Sequence, residues 1–183
     1  MILPIYTYGQ PVLRKVAEDI TADYPQLKEL INNMYETLAE SEGIGLAAPQ
    51  IGVSKRVVVV DGDVMSDVYD YLKGFRRTLI NPVIVEESGS FCEYNEGCLS
   101  VPGIYADVRR PEAITVEYYD ETLTKRTEHF DKFACRMIQH ELSHLDGVLF
   151  TDLVAPIRRK MIAKKLTNIA HGKVGTRYNS KIK

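Results

Sequence analysis

His140-Glu141-Leu142-Ser143-His144 is the stretch of this sequence best equipped for chemistry. On an α-helix, two histidines four residues apart project from one face about one turn apart, close enough for both imidazoles to grip a single metal ion. Glu141 stands beside the first of them. A carboxylate there can take a proton from a water activated at the metal without being a ligand itself. Phe133, Met137, Ile138, Leu142 and Leu145 recur at helical spacing, so the helix has an apolar surface and is expected to be partly buried. Buried ionisable groups need partners, and a metal with neutral imidazole ligands is one way to satisfy them.

Two histidines leave the ligand set incomplete. A third histidine six residues after the second, as in one class of zinc proteases, is absent because Phe150 stands there. No glutamate follows Glu141, which leaves Asp146, Asp152 and His171 downstream. Upstream, Cys98 lies in Glu96-Gly97-Cys98-Leu99-Ser100, a setting typical of a strand end, and its thiolate would give a three-ligand site with an open position for water. Cys92 competes with it on spacing alone, whereas Cys135, five residues before His140, is rotated off the ligand face and reads as core.

The elements that must position these groups follow from periodicity. Leu27, Leu30, Ile31, Met34 and Leu38 form the stripe of an amphipathic helix over Pro25 to Glu42. Gly43 to Gly52 breaks that pattern with three glycines and a proline, a composition that lets backbone lie against a ligand. Val57 to Val60 reads as a short buried strand, Asp61 to Arg77 as a loop with a helical turn, and Leu79 to Glu86 as a strand that Pro82 places at an edge or a beginning. Glu112–Tyr119 and Leu123–Phe130 flank Asp120-Glu121-Thr122 as a hairpin, and the metal-bearing helix starts near Asp131 or Lys132, with Gly147 as its stop. Tyr105 and Arg110 fall on the strand expected to approach the substrate mouth, with no role assigned. From Pro156 to about Ala170 runs a basic helix whose apolar stripe is Ile157, Met161, Leu166 and Ile169; the segment 157–183, through Lys183, carries no acid. The expected class is α+β: antiparallel β-strands packed around a central metal-binding helix, with an N-terminal and a C-terminal helix.

At 183 residues the chain is expected to be one catalytic domain, 1–183. A hydrophobic content of 45%, a charged content of 26% and a net charge of -2 are ordinary for a globular protein and argue against a DNA-binding surface. The longest apolar run is too short for a bilayer, no signal segment opens the chain, and three cysteines make no disulfide framework. A cytoplasmic protein with no membrane partner is expected.

Gly43-Ile44-Gly45-Leu46-Ala47-Ala48-Pro49-Gln50, Glu96-Gly97-Cys98-Leu99-Ser100 and Gln139-His140-Glu141-Leu142-Ser143-His144 resemble the three signature motifs of the peptide deformylases, in that family's order. The resemblance covers nearly the whole chain and is nearest the bacterial enzymes. It implies hydrolysis of the N-formyl group of formylmethionine on newly made polypeptides, with release of formate. Cys98, His140 and His144 are then the metal ligands, Glu141 the general base, and the Gln50 amide and Leu99 backbone N–H the donors to the oxyanion. Ferrous iron is the implied ion, with nickel, cobalt or zinc able to replace it. Met137 and Phe133, three and seven residues before His140, can line an apolar pocket for a methionine side chain that Ile44 closes, and Gly45 can pair its backbone with an extended substrate. The basic C-terminal helix is implied to dock on the ribosome near the nascent-chain exit. The chain departs from the family at Ser143, where aspartate is usual. Two other readings compete: a metallopeptidase with Asp152 as third ligand, and a noncatalytic RNA-binding module with a structural metal.

Overall fold

Four successive valines at 57 to 60 make a strand that must be covered on both faces, and the fold is built to do that. In the computed structural model, which describes residues 1–181, β1 (Ile5–Tyr6) precedes α1 (Leu27–Glu40) and β2 (Gly45–Ala47). β3 (Val57–Asp61), the long β4 (Arg76–Cys98) and β5 (Val101–Tyr119), and β6 (Lys125–Asp131) follow, then α2 (Lys132–Leu145), α3 (Pro156–Ala170) and β7 (Ser180–Lys181). Lys183 lies outside the described residues. Five strands form one sheet in the order β2-β3-β4-β5-β6 with every neighbour antiparallel, while β1 and β7 form a separate parallel pair.

Because strand side chains alternate, Val58 and Val60 face α2, where Cys135, Ile138, Leu142 and Leu145 cover them. Val57 and Val59 face the opposite way, onto Ile31, Met34 and Leu38 of α1. Removing each such side chain from water contributes on the order of 1.5–3 kcal/mol. β5 serves two cores in turn: Val101, Ile104, Ala106 and Val108 pack with Ile162, Leu166 and Ile169 of α3, and Ile114, Val116 and Tyr118 pack under α2. The α+β expectation holds, with α2 against one face of the sheet and α1 against the other.

Five expectations need correction. Pro82 does not open a strand: it sits within β4, just past Ile80 where the pairing with β3 ends, so only β5 flanks the strand there and the edge reading holds locally. The missing N–H is tolerated because the β4–β5 register steps between Ile80 and Val83, and Asn81 there turns with φ 50°. β4 runs past Glu86 to Cys98, and β5 begins at Val101; the outer part of β4 is largely exposed and held by pairing rather than by an apolar face, so periodicity does not reveal it. Leu123 belongs to the turn, at φ 59°, and β6 starts at Lys125. Ile157 and Met161 do not pack inward: they are 74% and 66% exposed, and Ile162 joins Leu166 and Ile169 on the buried face of α3. The first helix is shorter than expected, stopped by the left-handed residues Gln26 and Glu42 at its two ends.

Candidate active site

Cys98 ends β4 at the tight turn into β5, and His140 and His144 leave one face of α2. One ligand atom from each lies within 4.8 Å of the others, the one such group of three among the described residues, and Cys98 Sγ is 3.3 Å from His144 Nε2. The two competing aspartates are engaged elsewhere. Asp146 accepts from Arg56 at 2.9 Å, and Asp152 accepts from Arg14 at 2.5 Å and 3.2 Å. Cys92 lies against Arg136, Cys135 is in the core, and Phe150, where a third histidine would have stood, packs its ring 6.0 Å from that of His140.

The donor set fits a divalent cation. Glu96 Oε1 accepts a 2.7 Å hydrogen bond from His140 Nδ1, which fixes the tautomer and leaves Nε2 free for a metal. Burial, with His140 nearby, pushes His144 well below its usual range, toward the neutral imidazole that a metal requires. Burial presses His140 the same way, but contacts with Cys98 and Glu96 outweigh it and hold a proton on that ring; a cation among the three ligands would take that proton's place. Burial also pushes the Glu141 carboxyl up to about 7, against the pull of His140, and its Oε2 has no hydrogen-bond partner among the described residues. Gly45 makes room for this carboxylate, since a Cβ there would stand 2.5 Å from Glu141 Oε1.

These groups open onto a cleft of about 750 Å³ whose walls include Ile44, Gly45, Gln50, Leu99, Phe133 and Met137; His144 lies behind the wall, buried. The Gln50 amide is oriented: Oε1 accepts from the Ala47 N–H at 2.8 Å, so Nε2 points toward Cys98 Sγ at 3.5 Å and Ser100 Oγ at 3.2 Å. Phe133 stacks on Tyr69 with centroids 4.8 Å apart, and Met137 is buried in the same apolar group as Ile44. Gly45 pairs with Val60 on one side, and because β2 is the edge of the sheet its other side is open.

A sequence profile described as polypeptide deformylase matches residues 2–160. The chain belongs to the polypeptide deformylase family. A peptide deformylase of Flavobacterium johnsoniae is 50% identical over 188 residues, covering 99% of this chain and 96% of that protein. Among solved structures, the peptide deformylase from Thermus thermophilus superposes with a TM-score of 0.84 at 37% identity, over 94% of this chain and 99% of that one. A peptide deformylase from Synechococcus elongatus, solved in complex with actinonin, superposes with a TM-score of 0.79 at 38% identity, over 89% of this chain and 85% of that one. Deformylases are metal-dependent hydrolases that remove the N-formyl group from nascent polypeptides, and this chain is such an enzyme.

Sequence reasoning left three residues of this deformylase site without a role. Glu96, behind the Cys98-His140-His144 cluster, also pairs with Arg110 at 2.9 Å and with Arg136 at 2.8 Å, and both guanidiniums are buried. Burial alone would raise the Glu96 carboxyl, but hydrogen bonds from His140 and Arg110 hold it far below the usual range. Arg110 is therefore not at the substrate mouth: it turns inward, where Nη1 also donates to Ser143 Oγ at 2.8 Å, while Tyr105 does line the cleft, exposed. A signal for Glu96 was present in the sequence, since a ligating imidazole needs an acceptor at its far nitrogen and Glu96 lies two residues from Cys98. Arg136 gave none, because its position reads as an ordinary charged residue on a helix.

Proposed function

We propose that Cys98, His140 and His144 hold the catalytic metal, that Glu141 is the general base, and that the Gln50 amide and the Leu99 N–H receive the charge developing on the formyl oxygen. The observation that carries this reading is the Cys98-His140-His144 cluster opening onto the cleft beside a buried Glu141 carboxylate, one oxygen of which has no partner among the described residues. A divalent ion held there supplies Lewis acidity, polarising the formyl carbonyl and making a neighbouring water acidic. Glu141 takes the proton of the attacking water and returns it to the departing amine, which leaves formate and a free peptide N-terminus. Its raised proton affinity suits both transfers. Gln50 Nε2 is aimed without reorganisation, because its Oε1 is already committed to Ala47. Ile44, Phe133 and Met137 receive the methionine side chain, and the open side of Gly45 extends the sheet by pairing with the substrate backbone.

One thiolate and two imidazoles suit several first-row divalent metals, and ferrous iron is assigned by the family resemblance, with Ni2+, Co2+ or Zn2+ as substitutes. The same resemblance supports a single catalytic domain over 1–183, acting in the cytoplasm and docking near the ribosomal exit through the basic α3. The exposed Ile157 and Met161 beside basic side chains fit a docked surface, and no described helix is long and apolar enough to cross a membrane. Formate release from formyl-Met-Ala-Ser by anaerobically prepared protein tests the site. The parent should release formate, Glu141→Gln should keep its metal but lose at least a hundredfold in rate, and Cys98→Ser should lose metal or activity. Full activity in Cys98→Ser would remove Cys98 from the ligand set.

A further inference from the structure

The profile match ends at residue 160, yet the chain returns to the cleft after α3. Residues 174–181 leave the end of α3 and cross beside the catalytic turn. They are anchored beyond it by the parallel β1–β7 pair, in which Ile5 aligns with Ser180 and Tyr6 with Lys181. The Ile5 N–H donates to the Asn179 carbonyl at 2.9 Å. Within the segment, Thr176 Oγ1 donates to the Tyr178 carbonyl at 2.7 Å and lies 2.8 Å from Ser180 Oγ. Arg177 and Tyr178 stand in the cleft wall with Leu99.

Tyr178 makes a bond there that an ordinary tail has no use for. Its hydroxyl donates to the Leu99 carbonyl at 2.5 Å, and its ring packs, with Leu99, against the core under α1. The next carbonyl, that of Ser100, accepts from the Tyr8 N–H at 2.7 Å, so the segments at the two ends of the chain hold both carbonyls of the turn between β4 and β5. That turn carries Cys98, the Leu99 N–H and the Ser100 hydroxyl that meets Gln50. Burial pushes the phenol up to about 12, so it remains a donor at neutral pH.

We infer that residues 174–181 form a strap in which Tyr178 is a positioning residue: by holding the Leu99 carbonyl it fixes the backbone of the Cys98–Val101 turn and so the direction of the Leu99 N–H toward the reacting oxygen. The inference rests on the donor role proposed for Leu99. A donor aimed in advance costs no reorganisation during the reaction, so loosening its backbone should weaken transition-state binding more than substrate binding.

Tyr178→Phe removes the hydroxyl and keeps the ring, so the packing survives. Formate release from formyl-Met-Ala-Ser should show kcat lowered roughly two- to tenfold, as for loss of one hydrogen bond, with KM and bound metal unchanged. In parallel, amide exchange followed by NMR should be faster at Leu99, Ser100 and Val101 than in the parent, and unchanged in β3. A kcat equal to the parent's, a loss that merely tracks bound metal, or unchanged exchange in the turn would each overturn the inference. If the parent itself releases no formate, the functional reading fails, while the exchange comparison still decides whether Tyr178 restrains the turn.

Discussion

Glu96 and Glu128 are each gripped by arginine and by one further donor, yet they sit in opposite surroundings. Glu96 takes Arg110 at 2.9 Å and 3.1 Å, Arg136 at 2.8 Å and His140 at 2.7 Å, and the carboxylate and its two arginines are at most 8% exposed. Glu128 takes Arg77 at 2.8 Å to 3.1 Å and Tyr118 at 2.7 Å, with the Arg77 and Glu128 side chains 35% and 29% exposed. In the second case water screens the charges and takes over whatever the protein gives up. In the first there is no such substitute, so every charge must be answered from within. The buried set also holds His140, the imidazole proposed as a metal ligand, so on that reading its cost in desolvation is tied to the chemistry. The half-exposed set joins β4 to β6 across β5 and touches no group of the site.

The sharpest way to break the contrast is Glu96→Gln, which keeps the shape and removes the charge. Two buried guanidiniums lose their counter-charge and His140 loses its carboxylate acceptor. Stability should fall by about 3–5 kcal/mol in denaturant unfolding, and metal affinity roughly 10- to 100-fold in a chelator competition. Unchanged metal affinity would mean that Glu96 serves packing alone.

A second substitution sharpens the contrast by adding a charge. The buried set holds two guanidiniums against one carboxylate, and Arg110 Nη1 already meets Ser143 Oγ at 2.8 Å. Ser143→Asp places a carboxylate, the group that the motif resemblance leads one to expect, where the serine hydroxyl now stands. Exchanging a neutral for a charge-assisted hydrogen bond should stabilise the fold by about 1 kcal/mol, seen as a higher melting temperature with kcat retained. A lower melting temperature would show that Arg136 has already rebalanced the site around serine.

How much of this was legible in the sequence differs between the same two kinds of region. The helix stripe around Leu27 to Leu38, the four valines and the His-Glu-His spacing are local patterns; the elements they imply are in place, and His140 and His144 come together with Cys98 as a possible metal site. The third candidate ligand was not settled by spacing, because Cys98 meets α2 only through the β4–β5 hairpin, and the motif resemblance had to choose it. Glu96–Arg110–Arg136 was hidden for the same reason: it joins three segments distant in sequence. The outer part of β4 was hidden because hydrogen bonds to β5 hold a strand whose inward face is polar and only partly buried, with Glu96 rather than an apolar stripe at its core end. Ile157 and Met161 misled because periodicity gives the spacing of a face but not its direction.

The half-exposed carboxylate should respond to pH where the buried one does not. Burial alone would raise the Glu128 carboxyl, but hydrogen bonds from Arg77 and Tyr118 outweigh it and hold it below its ordinary value of 4.5. A carboxyl whose folded value is depressed contributes fully above its unfolded value, and the contribution is lost as pH falls through the folded value. Glu128→Gln should therefore cost about 1 kcal/mol at neutral pH and nothing once acid has protonated the parent's Glu128. Urea midpoints for the two proteins should converge as pH drops below 4.5. Parallel curves down to the acid transition would show that the Arg77 contact contributes packing rather than charge.

The smallest effect belongs to the outermost pair. Lys125 meets Glu117 at 3.0 Å across the β5–β6 ladder, with side chains 58% and 40% exposed. Water and salt screen such a pair, and ordering a lysine chain consumes most of what the contact returns. Lys125→Ala should leave the melting temperature within error of the parent at both low and high salt, although the distance resembles those around Glu96. A salt-dependent drop would mean that this edge of the sheet is held by charge, and burial would no longer separate the strong carboxylate–cation contacts from the weak ones.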